Sequence, residues 1–321
     1  MSDLQVAVET RGCPLGCEPN DVLILVGHDR IHGLPGDFDV VQCTNCTLLR
    51  TDPRPTPETI GFYYPHEYGP YVATRVEGSV TEPPRSPLVK RLLRPAIQRV
   101  FDFKTVPLPD LPPGRMLEVG SASGAFLHRM ARAGWSVHGI ELSAEAAEAA
   151  IDLGYSVDIG RLETAPSPVE RYDLIVGWMV LEHLHDPVEG LRHLRDWATT
   201  DAYLALSVPN AGAVGLRLFK SRWYELHLPN HLYHFTPKTL GDVLRAGGWK
   251  VERLHYQRVA NDLVGSSGYW LHDRGLIRLG QRLMQIPDRG RLWPFVGYPI
   301  GYLLARLRRS SRLTVWARPT T

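Results

Sequence analysis

From about residue 112 onward, short apolar runs alternate with stretches whose apolar positions recur every three or four residues. Residues 115–120, 136–141, 172–178 and 202–208 read as strands, and 125–133, 144–153, 187–197 and 237–246 read as the helices between them. Strands alternating with helices of this length predict a parallel sheet with crossover helices, an α/β fold. The last helix carries the plainest punctuation: Thr236 as N-cap, Pro237 in the first turn, and Gly247-Gly248 as a stop. Residues 249–257 and 313–317 supply two late strands, and no internal repeat is present.

The flanks read differently. Pro53, Pro55 and Pro57 break regular structure ahead of a helix predicted to begin near Pro57, a residue suited to a first helical position. Behind it stand Tyr63, Tyr64, Tyr68 and Tyr71, which would either line a substrate mouth or pack between two domains. Residues 74–87 read as a loop and 88–101 as a basic amphipathic helix, with Leu88, Leu92 and Leu93 on one side, Lys90, Arg91 and Arg94 away from it, and Pro95 interrupting. The longest apolar run, 292–305, has 14 residues and contains Pro294 and Pro299. A spanning helix needs about 20 residues, so this run is not expected to cross a membrane.

Composition narrows the class. With 321 residues, 44% hydrophobic and 22% charged, the chain matches ordinary globular proteins and not collagen, coiled coil or a disordered chain. Its length argues for two domains, or one large domain with appendages. The net charge of +2 hides an asymmetry: residues 274–321 carry ten arginines against Asp288 alone, +9, which leaves −7 for the rest. Only the C-terminal end is suited to an anionic partner, and there Leu276, Leu279 and Leu283 share one side of a helix whose other side bears Arg278 and Arg282. That pattern points to peripheral membrane contact or to an anionic, lipid-linked substrate, against the plainer reading of a solvated helix packed on its own domain. The opening MSDLQVAVET is polar and acidic where a signal peptide needs a basic region, so a cytoplasmic location, with membrane association through the basic segment, is the expectation.

All four cysteines, Cys13, Cys17, Cys43 and Cys46, fall near the start. A Cys-x3-Cys pair followed by a Cys-x2-Cys pair matches the spacing that lets four thiolates converge on zinc, and four thiolates would make the site structural. The alternatives are two disulfides, four plain buried thiols, or His28 and His32 substituting as ligands.

The first strand of the α/β unit runs into VGSASGAF, a glycine-spaced turn leading to a helix, which is where doubly wound sheets hold nucleotide-like ligands. Glu141 closes the second strand 21 residues after Gly120, where a carboxylate accepts both hydroxyls of a ribose. An adenosine ligand follows. The loop lacks the G-x-G-x-x-G of NAD sites. Its spacing, Gly120-x-Ala122-x-Gly124, resembles motif I of class I S-adenosylmethionine-dependent methyltransferases.

The resemblance extends over most of the chain, through CPLGC and CTNC, TDPRPTPE with FYYPHEY, LEVGSASGAFL, VLEHLHDP, LSVPN and SRWYELHLPNHLYHFTPKTL. Together these are similar to bacterial class I methyltransferases with an N-terminal zinc-binding module, of the type that modifies sugars, glycans or secondary metabolites. The resemblance implies a Rossmann-like, doubly wound seven-stranded sheet with a small zinc module before it and a helical insertion near the end. It suggests a zinc module at 1–50, a linker and helical lid at 51–110, a cofactor domain at 111–258, and an insertion plus final strand at 259–321. By position it places Glu118 near the methionine amino group, Gly120, Ser121, Ala122 and Gly124 around the methionine and ribose, Glu141 on the ribose, Leu142 on adenine and Trp178 facing the cofactor. Relatives often hold the adenine amino group with an acid; here Arg161 stands there, leaving the Leu162 backbone or Asp158 as substitutes.

Methyl transfer from a sulfonium is an in-line displacement, and a hydroxyl acceptor benefits from a base. Histidines concentrate where one belongs: His183 and His185 after the fourth strand, His227, His231 and His234 after the fifth. Glu182-His183 would shape the cofactor mouth or cap the next helix. His231, with an imidazole pKa near 6.5, is the expected base or acceptor anchor, and His234 and Tyr64 are the further candidates. GWMVLEHLHDP lacks the Asn/Asp-Pro-Pro-aromatic motif of enzymes that methylate base amino groups, so no nucleic acid is expected. The acceptor is expected to be a small molecule or glycan, nucleotide- or lipid-linked. In HLPNHLYHF, Asn230 replaces the glutamate found in sugar C-methyltransferases, which favours O-methylation. C-methylation of a keto-sugar nucleotide and a non-catalytic, cofactor-binding partner module are the alternatives.

Overall fold

The computed structural model describes residues 6–65, 108–289 and 293–320. The basic helix expected over 88–101, the loop at 74–87, and Tyr68 and Tyr71 lie outside the described residues.

The N-terminal part contains β1 (Val8–Glu9), β2 (Asp21–His28), β3 (Asp37–Cys43), β4 (Leu49–Thr51) and β5 (Arg54–Pro55), followed by a 3-10 turn at Ile60–Tyr63. The helix expected from Pro57 is therefore only this one turn, starting three residues later. Next come β6 (Arg115–Val119), α1 (Ala125–Arg132), β7 (Ser136–Glu141), α2 (Ala144–Asp152), β8 (Ser156–Ile159), β9 (Tyr172–Trp178), α3 (Pro187–Asp196), β10 (Ala198–Pro209), α4 (Val214–Phe219), β11 (Tyr233–His234), α5 (Pro237–Ala246) and β12 (Trp249–Tyr256). The chain ends with α6 (Asn261–His272), α7 (Ile277–Arg289), α8 (Trp293–Arg306) and β13 (Arg312–Pro319).

Seven strands form the central sheet in the order β12-β13-β10-β9-β6-β7-β8, parallel at each pairing from β10 to β8, with β13 antiparallel between β10 and β12. Apolar residues alternate to two covered faces. On β9, Ile175 belongs to one core cluster while Leu174 and Val176 belong to the other. The helices follow their punctuation. Ser143 caps α2, accepting from Ala146 N at 3.2 Å, and Asp186 caps α3, accepting from Glu189 N at 2.9 Å. Thr236 and Thr239 form a reciprocal capping box on α5. Leu240, Val243 and Leu244 on that helix are at most 1% exposed, each contributing roughly 1.5–3 kcal/mol over an exposed position.

A second sheet, ordered β11-β4-β3-β2, brings together two distant parts of the chain. Its β11 comes from the segment after β10, so the N-terminal module is completed by a strand of the α/β part, Tyr233 pairing with Arg50 and His234 with Leu49. The larger core cluster is continuous across both, from Phe38 and Val40 to Val208 and Phe235.

Candidate functional site

Helix α1 follows β6 through a turn in which Gly120, Ala122 and Gly124 all have positive φ, 71°, 44° and 75°. Glycine adopts this conformation freely, whereas Ala122 carries a strain of roughly 1–2 kcal/mol. A Cβ at Gly120 would meet Val180 Cγ2 at 2.6 Å, and one at Gly124 would meet Ala150 Cβ at 2.5 Å. The loop is thus pressed between α2 and the segment that follows β9.

Two carboxyls flank it. Glu141 accepts from Ala122 N at 2.8 Å and Ser143 N at 3.0 Å, and is 4% exposed. Glu118 is 3% exposed, and its Oε2 has no hydrogen-bond partner among the described residues. Burial pushes both carboxyls above the ordinary range, Glu118 well above it. A cationic ligand would compensate the charge of these carboxylates, and Glu141 keeps lone pairs for two hydroxyls. Trp178 ends β9 against Phe126, ring centroids 5.2 Å apart, with its indole nitrogen buried and unpartnered among the described residues. Leu142 is 47% and Ile159 48% exposed, and Gly160 N donating to Glu141 O at 2.8 Å brings the two rims together. Two buried acids, a left-handed loop and an open apolar rim fit S-adenosylmethionine, a cation with a ribose and an apolar base. Asp158 is instead committed to His138, 3.1 Å away, and the Leu162 side chain is buried in the core at 3%.

Beyond Val180 lies a second cluster. Tyr64 Oη is 2.8 Å from His183 Nδ1, and the His183 and His231 rings are 4.7 Å apart. His231 is 2% exposed and donates its Nδ1–H to the Glu225 carbonyl at 2.9 Å. Its Nε2 lies 4.0 Å from Glu182 Oε1. Burial, reinforced by His183, His227 and His234, holds His231 well below 6.5, so the near-neutral imidazole expected from sequence is not what the fold provides. His183 and His234 are pushed down to about 4 by burial, and Glu182 up to about 8. Glu182 is fully buried with both oxygens unpartnered among the described residues, an omission that costs on the order of 1–3 kcal/mol per group. It is not the helix cap considered above, since Asp186 fills that role.

The tyrosines divide. Tyr64 joins this cluster, while Tyr63 packs on Phe38 and donates to Pro35 O at 2.7 Å. His234 stands apart on β11, its Nε2 3.3 Å from Thr51 Oγ1. Thr51 also donates to His231 O at 2.8 Å, and Leu232 N donates to Glu182 O at 2.8 Å, so β4 supports the histidine segment from behind. Arg312 on β13 pairs with Glu225 at 2.9 and 3.2 Å, steadying the carbonyl that orients His231. Sequence reasoning passed over Glu225 and Arg312. Only a pair of opposite charges 87 residues apart marks them, and nothing local does.

The four sulfurs of Cys13, Cys17, Cys43 and Cys46 lie within 4.8 Å of one another, with Cys13 and Cys46 at 3.4 Å, and none forms a disulfide. Tetrahedral zinc with Zn–S of about 2.3 Å would set its sulfurs about 3.8 Å apart. Gly16, with φ of 70°, donates to Cys13 O at 3.0 Å and absorbs the extra residue of the first knuckle. Neither His28 nor His32 belongs to the group.

A family profile described as "Methyltransferase domain" matches residues 88–254, more than half of the chain. No curated protein sequence matches. An S-adenosylmethionine dependent methyltransferase from Mesorhizobium loti is similar at 18% identity over 70% of this chain and 97% of its own, with a TM-score of 0.43. Magnesium protoporphyrin IX methyltransferase from Synechocystis PCC 6803 is similar at 19% identity over 54% and 82%, TM-score 0.38. The [4+2]-cyclase SpnF is similar at 18% identity over 84% and 97%, TM-score 0.47.

Proposed function

The chain belongs to the methyltransferase domain family, and from that premise we propose that it moves the methyl group of S-adenosylmethionine onto a hydroxyl of a sugar, glycan or secondary metabolite. The observation that carries this reading is the adjacency of two unlike sites. The acidic cradle of Glu118 and Glu141 suits a cationic adenosyl ligand, and Val180, packed on Gly120, leads directly to the cluster of Glu182, His183, His231 and Tyr64.

When bound, S-adenosylmethionine would supply an electrophilic methyl to the acceptor hydroxyl, whose proton would leave on the side of the histidine cluster as sulfur keeps the C–S electron pair. Glu118 takes the ammonium, Glu141 the ribose hydroxyls, Leu142 the adenine face, and the Leu162 backbone the adenine edge. Gly120, Ser121, Ala122 and Gly124 let the backbone come close, and Trp178 closes the methionine side. His231 serves the acceptor side, with His183 and Tyr64 beside it. His234, bonded to Thr51, holds the segment in place. The four cysteines hold a structural zinc that braces β4 under the histidines.

Peripheral contact with an anionic membrane belongs to the same reading. Leu276, Ile277 and Leu279 are about half exposed, as are Phe295, Val296 and Leu303, and Arg306, Arg308 and Arg309 follow. No helix among the described residues is long and apolar enough to cross a membrane. Contact of this kind would present a lipid-linked acceptor.

Methyl-labelled S-adenosylmethionine, offered with a panel of nucleotide sugars and lipid-linked glycans, tests the proposal. Label on an acceptor oxygen is expected. Label on carbon would establish the C-methyl alternative, and no transfer by a protein that binds the cofactor would remove the acceptor class.

A further inference from the structure

We propose that Glu182, His183 and His231 form a divalent-metal site distinct from the four cysteines. One ligand atom from each lies within 4.8 Å of the other two. Both Glu182 oxygens are buried without a hydrogen-bond partner among the described residues, which is unusual for a carboxyl at 0% exposure. The imidazoles are oriented for ligation from behind. His183 donates Nδ1–H to the Asn230 carbonyl at 2.9 Å, sharing it with Tyr64 Oη at 2.8 Å, and His231 donates Nδ1–H to the Glu225 carbonyl at 2.9 Å. A carbonyl only accepts, so both lone pairs reside on Nε2, the arrangement found behind metal-binding histidines.

The His231 Nε2 to Glu182 Oε1 separation of 4.0 Å is too long for a hydrogen bond. Two ligands at about 2.1 Å on a tetrahedral ion lie about 3.4 Å apart, so the pair would close by roughly 0.6 Å around the ion. Two imidazoles and one carboxylate select zinc, iron(II), cobalt(II) or manganese(II) over magnesium or calcium, which prefer all-oxygen shells. Three protein ligands also leave positions open, the mark of a reactive site and not a structural one. Here the inference rests on the methyltransferase reading: a cation at this place would supply a Lewis acid to the acceptor hydroxyl, and His231 would act on that hydroxyl through the cation.

Cobalt(II) titration of the full-length protein, followed by absorption, tests the site. Cobalt at the cysteines gives intense thiolate charge-transfer bands, whereas cobalt at Glu182, His183 and His231 gives only weak visible d–d bands. The expected result is a d–d component that saturates with one equivalent of its own. Glu182→Gln and His231→Ala should weaken it by more than the roughly 10- to 100-fold that loss of an outer-shell partner costs, and leave the thiolate bands unchanged. Glu182→Gln preserves shape and breaks no side-chain hydrogen bond among the described residues, so folding is not at risk. Absence of the d–d component, or its survival in both variants, overturns the proposal. Calorimetry with S-adenosylmethionine on the same samples separates the two readings: cobalt binding without cofactor binding would uphold the metal site and sink the methyltransferase assignment, and the reverse would do the opposite.

Discussion

Replacing Glu141 by alanine isolates the cofactor cradle. Its carboxylate already accepts Ala122 N at 2.8 Å and Ser143 N at 3.0 Å, one bond per oxygen. A carboxylate has about four acceptor positions, so two remain for a ribose 2′- and 3′-hydroxyl. A hydrogen bond to a charged group contributes about 1.5–3 kcal/mol. Losing two therefore costs about 3–6 kcal/mol, and at 1.4 kcal/mol per tenfold the dissociation constant should rise at least about a hundredfold. Calorimetry with S-adenosylhomocysteine reads this directly. A 2′,3′-dideoxy analogue supplies the control: with no hydroxyls to lose, it should bind wild type and Glu141→Ala nearly alike, apart from any disturbance of the Ala122 loop. An unchanged affinity for the natural ligand in a folded variant would refute the reasoning. Equal weakening of both ligands would mean that Glu141 only shapes the loop.

The remaining expectations are shorter. Metal analysis of protein purified without added zinc should find about one zinc at the cysteines, and Cys43→Ser, at a position 1% exposed, should release it and lower the thermal midpoint; four freely titrating thiols in the folded wild type would exclude the site. Because burial raises the Glu118 and Glu141 carboxyls, a cationic ligand that needs them ionised should bind more tightly above their raised pKa values and weaken as pH falls through them, with Glu118→Gln flattening the profile; an affinity independent of pH, or one rising toward acid, would contradict this. Flotation with anionic vesicles at low salt should carry the protein upward, and substituting Arg306, Arg308 and Arg309 by glutamine should leave it below; no flotation of wild type removes the membrane contact.

The parts of this molecule that sequence made legible are those whose cause is local. The ranges 136–141, 172–178 and 237–246 coincide with β7, β9 and α5, because strand alternation and the Thr236-Pro237 start act within a few residues. β8 escaped the apolar-run reading because Ser156–Ile159 is four residues long with no buried member to set a period. β11 had no local signal at all: two residues, Tyr233 and His234, become a strand only because β4 arrives some 180 residues away in sequence to pair with them. The same holds in the site. The turn at Gly120 and Gly124 and the strand end at Glu141 followed from spacing, whereas Glu182-His183, expected to shape the cofactor mouth or cap the next helix, leaves the cap to Asp186. The depressed basicity of His231 depends on burial among His183, His227 and His234, and no residue spacing reports burial.

In the proposed function, Glu118 and Glu141 hold the cofactor while His231 serves the acceptor. The most direct test measures S-adenosylmethionine affinity and single-turnover methyl transfer side by side in wild type and His231→Ala, once an acceptor is in hand. Affinity should stay within about twofold while transfer falls at least about a hundredfold, the lower end of the range for loss of a group that assists removal of the hydroxyl proton. Transfer within a few fold of wild type, or affinity and transfer falling together, would contradict the account.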